Sequence, residues 1–127
     1  MNNLPKKKIL IIEDDRSLQN ALVEIMGQAG YQVASAFDGE EGILKLAAGK
    51  PDLILLDLIL PKIHGFDVLK KLKQAEGTKH ISVIVLTNLE GMRDVDMALE
   101  LGATTYLVKA QYSLEEVVEK IKKAIGD

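Results

Sequence analysis

The 127-residue chain has no cysteine and no tryptophan, and it has only two phenylalanines, three tyrosines and three prolines. Without cysteine there are no disulfides, no thiolate metal sites and no cysteine nucleophile, a composition compatible with a reducing cytoplasm. No apolar run approaches the length of a membrane span, and the run closing "MNNLPKKKILII" is too brief for a signal-peptide core. The net charge of −3 is too mild to argue for or against a nucleic-acid partner. Lys6–Lys8 reads as a solvated flank, with a basic docking arm as the minority reading.

Hydrophobic residues make up 47% of the chain and charged residues 28%, enough for a true core. The length suits one domain over residues 1–127, with 1–7 a short flexible N-terminal flank. Apolar runs read as strands: Lys8–Ile12, Tyr31–Ala36, Asp52–Asp57, Ile81–Thr87 and Thr105–Lys109. Three of them are nearly continuous in Ile, Leu and Val, as in parallel strands covered on both faces. Helical patterns lie between them. Leu18, Ala21, Leu22, Ile25, Met26 and Ala29 recur at helical spacing before Gly30, and Gly49, Gly77 and Gly102 are stop signals for later helices. Ser113 and Glu116 form a capping-box pattern ahead of Leu114, Val117, Val118, Ile121 and Ile125. Five βα units in tandem imply a three-layer α/β sandwich, a parallel five-stranded sheet between helices.

Ligands of such sheets bind beyond the carboxyl ends of the strands. Those ends carry Glu13, Asp14 and Asp15 after the first strand, Asp57 after the third, Thr87 on the fourth and Lys109 on the fifth. Two like charges ~4 Å apart cost about 4 kcal/mol at an effective dielectric near 20, so clustered carboxylates call for raised pKa values or a bound cation. Oxygen donors alone point to Mg²⁺ or a similarly hard ion. Each residue also has a plainer role. "EDD" can be helix N-terminal charge with Asp15 as cap, Thr87 can cap a helix starting near Glu90, and Lys109 can decorate an edge. The case for a site rests on their sharing one edge.

At this point the chain resembles the receiver domain of a two-component response regulator over nearly its whole length. "ILIIEDDRSLQNAL" is similar to that family's first strand and acidic loop. "PDLILLDLILPKIHGFDVLKKL" resembles the segment around its phospho-accepting aspartate, with Pro61 four and Gly65 eight residues after Asp57. "VIVLTN" and "GATTYLVK" resemble its switch threonine and its aromatic–lysine segment. The resemblance implies strand order 2-1-3-4-5, a flavodoxin-like topology. It implies Asp57 as the nucleophile that takes a phosphoryl group from the phosphohistidine of a sensor kinase or phosphotransfer protein. Mg²⁺, or Mn²⁺ in its place, would be held by Asp14, Asp57, the Ile59 backbone carbonyl and, through water, Glu13. Thr87 and Lys109 would contact phosphoryl oxygens, and Tyr106 would follow Thr87 to switch the surface of the last two βα units. Asp15 stands beside the acidic pair or caps the helix. The implied role is a cytoplasmic signalling phospho-acceptor rather than an enzyme acting on others. Its output partner would be a downstream protein or a phosphorylation-dependent homodimer, without direct contact to nucleic acid or membrane.

Three positions depart from the family pattern. Ala110 stands where proline usually follows the lysine, so a trans Lys109–Ala110 bond is expected. Asn88 replaces a small residue after Thr87, from which slow phosphoryl turnover is expected. His64 stands where Asp or Asn is common and reads as a solvated loop histidine. The alternative function is a non-phosphorylated, receiver-like protein-interaction module. A flavin- or nucleotide-binding protein fits less well, because "EDD" repels phosphate and no G-x-x-x-x-G-K-[ST] is present. An aspartyl-nucleophile phosphohydrolase fits less well again, because no second acid follows Asp57 at D-x-D spacing.

Overall fold

The computed structural model describes residues 6–126. Of the flank expected at 1–7, residues 1–5 lie outside the described residues, while Lys6 and Lys7 are exposed. Five strands, β1 (Lys8–Ile12), β2 (Gln32–Ala36), β3 (Leu53–Leu56), β4 (Ser82–Thr87) and β5 (Thr105–Val108), form one parallel sheet of order β2-β1-β3-β4-β5. Helices α1 (Arg16–Gln28), α2 (Gly39–Ala48), α3 (Gly65–Gln74), α4 (Met92–Glu100) and α5 (Leu114–Ile125) follow the strands in turn.

Alternation along the strands divides the core in two. Leu10, Ile12, Ile54, Leu56, Val83 and Val85 face Leu46 of α2, Val68, Leu69 and Leu72 of α3 and Ala98 of α4. Ile9, Ile11, Leu53, Leu55, Ile84, Leu86 and Leu107 face Leu22 and Met26 of α1 and Val117, Val118 and Ile121 of α5. Each fully buried side chain of this size contributes about 1.5–3 kcal/mol. β1 and β3 therefore carry apolar residues at successive positions, because both of their faces are covered.

The expected capping box of α5 is present: Ser113 Oγ accepts from Glu116 N and Glu116 Oε1 from Ser113 N. Gly30 and Gly102 follow α1 and α4 with φ of +97° and +110°. The expected stop at Gly77 is displaced, since α3 ends at Gln74 with Ala75 as its cap. There the Ala75 carbonyl accepts from both Thr78 N and Lys79 N, building a turn of its own. Four strands are one residue shorter than expected at one or both ends. Asp52 lies just outside β3, its N donating to Lys8 O and its side chain accepting from Lys8 N, both at 2.8 Å.

Candidate functional site

The pairing register places the acids. Ile12 is paired with Ala36 on one side and Leu56 on the other, so Glu13 and Asp57 are the next residues out of adjoining strands. Glu13 N donates to Ala36 O at 3.0 Å and Asp57 N to Ile12 O at 3.0 Å, which carries the ladder one step past the strand ends. Both side chains are buried, at 3% and 4% exposure, whereas Asp14 is exposed. Oxygens of Glu13, Asp14 and Asp57 lie within 4.8 Å of one another. Two of the three have backbone donors: Asp15 N to Glu13 Oε2 at 3.0 Å and Ile59 N to Asp57 Oδ1 at 3.1 Å. Asp15 stands apart as the N-cap of α1, accepting from Leu18 N.

Lys109 closes the cluster. Its Nζ lies 2.7 Å from Glu13 Oε1 and 2.8 Å from Asp57 Oδ2. The described backbone contains no cis peptide, so Lys109–Ala110 is trans as expected, and Lys109–Gln111 forms a short 3₁₀ turn. Ion pairing thus aims the amine, with no proline present. Burial pushes the Glu13 carboxyl above its ordinary value of 4.5; the bonds from Lys109 and Asp15 oppose the rise and the charge of Asp57 adds to it. Burial also works against the Lys109 ammonium, yet its hydrogen bonds and charge attraction to Asp57 and Glu13 prevail and hold it above 10.5.

Thr87, the last residue of β4, is fully buried and lies two positions beyond Val85, the last β4 partner of β3. It does not cap α4, which begins at Met92 with Gly91 as its cap; its Oγ1 instead accepts from Leu89 N at 3.4 Å. Asn88 is exposed. Tyr106 on β5 donates its hydroxyl to Leu89 O at 2.7 Å, so both switch candidates hold the same loop residue. Burial, followed by the charges of Asp94 and Asp57, pushes the Tyr106 phenol up to about 12.

Glycines fix the loop after Asp57. A Cβ on Gly65 would lie 2.3 Å from Leu58 Cα and 2.4 Å from the Asp57 carbonyl oxygen, so only glycine lets α3 start directly behind the acid. His64 is more than a solvated loop residue: its Nδ1 caps α3 by accepting from Phe66 N at 3.3 Å, and its ring stacks on Phe66. Lys62, at φ +67°, has its ammonium 3.6 Å from Asp38 at the start of α2.

Gln19 was not singled out from the sequence. It is fully buried on α1, and its Nε2 lies 3.1 Å from Ile11 O, 3.2 Å from Glu13 O and 3.1 Å from Ala36 O. Its Oε1 has no hydrogen-bond partner among the described residues. The signal was available: Gln19, Leu22 and Met26 fall on one helical stripe, where a lone amide among apolar residues stands out.

Three carboxylates against one ammonium leave two excess negative charges. The donors are all carboxylate oxygens, and Asp14 opens the cluster to solvent, a set that fits a small hard divalent cation.

The profile of the response regulator receiver domain matches residues 9–122. The chain belongs to that family. This receiver domain is 39% identical over 116 residues to the alkaline phosphatase synthesis transcriptional regulatory protein PhoP of Bacillus subtilis, covering 91% of this chain and 47% of that one. The chain spans about half the length of the curated relatives it matches. A CheY-like receiver domain protein from Methanospirillum hungatei superposes with a TM-score of 0.90 at 27% identity, covering 96% of this chain and 95% of that one. The Mn(2+)-bound form of response regulator Rcp1 gives 0.83 at 31% identity, with 92% of each chain covered. The parallel sheet of order 2-1-3-4-5 is therefore this family's fold. No helix among the described residues is long and apolar enough to cross a membrane.

Proposed function

We propose that this receiver domain accepts a phosphoryl group on Asp57 from the phosphohistidine of a sensor kinase or histidine phosphotransfer protein. The observation that carries the reading is a buried aspartate bonded to an ammonium at 2.8 Å inside an acidic cluster at the carboxyl edge of the sheet. An Asp57 carboxylate oxygen attacks phosphorus as the bond to the imidazole nitrogen breaks. The electron pair returns to the imidazole, which takes up a proton, and Asp57 becomes an acyl phosphate.

Asp14, Asp57, the Ile59 carbonyl and, through water, Glu13 hold Mg²⁺ or Mn²⁺ in this reading. A bound divalent ion supplies charge neutralisation on the transferring oxygens. Lys109 exchanges its bond to Asp57 for one to a phosphoryl oxygen, and the Thr87 hydroxyl donates to another. Thr87 would then give up Leu89 N, and Tyr106, bonded to the same residue, would follow it. The change would reach the surface of the last two βα units, where Met92, Met97 and Leu99 are exposed. A downstream protein, or a second phosphorylated copy, would read that surface in the cytoplasm, without this domain touching nucleic acid. The domain acts on its own phosphoryl group alone.

The test is incubation with Mg²⁺ and a small phosphodonor, followed by intact mass. One added phosphoryl group, absent in Asp57→Asn, is expected. An unchanged mass in the folded wild-type protein refutes the reading and favours a receiver-like interaction module that is not phosphorylated.

A further inference from the structure

Gln19 occupies a place where an apolar side chain would fill the core as well. Its amide group instead reaches three backbone carbonyls, two on β1 and its extension and one at the end of β2. The pairing explains why a donor is needed there. β2 stops at Ala36, the partner of Ile12, so the Glu13 carbonyl has no strand residue to pair with. On the opposite side the Ile12 carbonyl is taken by Asp57 N. Gln19 Nε2 therefore continues the ladder where β2 ends. The amide nitrogen has two hydrogens for three acceptors, so at least one is shared. The bonds from Nε2 tie α1 to the ends of β1 and β2.

What they fix is the backbone that carries Glu13. The Glu13 side chain leaves this anchored residue to meet Lys109 at 2.7 Å, and Asp14 follows directly. We infer that Gln19 is a positioning residue for the acidic site: by clamping the Glu13 carbonyl from α1, it sets the affinity of the Glu13–Asp14–Asp57 cluster for a divalent cation. The inference rests on reading that cluster as a cation site.

Mn²⁺ serves as the probe, with free ion measured by electron paramagnetic resonance at a temperature well below unfolding. Gln19→Met keeps the bulk and removes the donor. Val118→Ala, which loosens the α5 side of the core, controls for stability alone. Gln19→Met is expected to weaken Mn²⁺ binding by about tenfold, the loss typical when a partner that orients a ligand is removed. Val118→Ala should bind as wild type does. If folded Gln19→Met binds Mn²⁺ like wild type, Gln19 is only a structural residue and the inference fails. If Gln19→Met does not fold, wild-type affinity in Gln19→Ala overturns it equally. A wild-type protein that binds no Mn²⁺, or an Asp57→Asn variant that binds as tightly as wild type, instead overturns the cation-site reading beneath it.

Discussion

Replacing Lys109 by methionine removes the charge between Glu13 and Asp57 and keeps the length of the side chain. The two contacts of 2.7 and 2.8 Å each represent about 6 kcal/mol of gross attraction at an effective dielectric near 20. Desolvation of three ions cancels most of that. The measurable quantity is the cost of stranding buried carboxylates, about 3–5 kcal/mol when one partner of a buried pair is deleted. Lys109→Met should therefore lose at least ~3 kcal/mol in urea unfolding at neutral pH without divalent ions. The pH dependence has a definite sign. Glu13 is raised above 4.5 by burial, and loss of the Lys109 bond raises it further. A carboxyl with a raised folded pKa favours the native state when protonated, fully below 4.5, and that advantage fades as pH rises through the folded value. The deficit of the variant should hence shrink as pH falls toward 4.5. Saturating Mg²⁺ should narrow it at neutral pH by replacing the missing charge. Equal stability of variant and wild type at neutral pH, or a deficit that grows on acidification, would refute the reasoning.

Two further outcomes follow from the same geometry. Gly65→Ala would place a Cβ 2.3 Å from Leu58 Cα, so a loss of about 1–3 kcal/mol is expected in chemical unfolding, and an unshifted midpoint would contradict the contact. Tyr106 should ionise near 12 by ultraviolet difference absorbance, and Tyr106→Phe should remove one tyrosine's share of the absorbance change there. Stability held by its neutral phenol is complete below 10.0 and is lost as pH rises through about 12, so Tyr106→Phe should also flatten the alkaline limb of unfolding.

Glycine stops marked the ends of α1, α2 and α4, and the three central strands were legible because burial on both faces of a parallel sheet leaves continuous apolar runs. Asp57 was legible for the same reason, since a charge ending "LILL" interrupts such a run. Other features depend on distances that sequence spacing does not contain. Lys109 was aimed at an anion, but its seat on both Glu13 and Asp57 follows from the register of β1 and β3. Thr87 was open to a capping role, and the start of α4 at Met92 rules it out. His64 gave no sign of its cap, because imidazole is an uncommon acceptor at a helix start. Gln19 was overlooked because apolar periodicity was counted by its members and not by its exception.

The Lys109–Asp57 bond spans 52 residues, and Glu13 directly follows the first strand while Lys109 follows the last. The acidic site is thus complete only when the segment after β5 has joined β1 and β3. A molecule caught before β5 docks holds buried acids without their counter-ion, and the mutual repulsion of those acids opposes a stable half-built sheet. Local opening of β5 alone would therefore strand Glu13 and Asp57 together, tying the integrity of the site to the docking of a strand that carries neither acid.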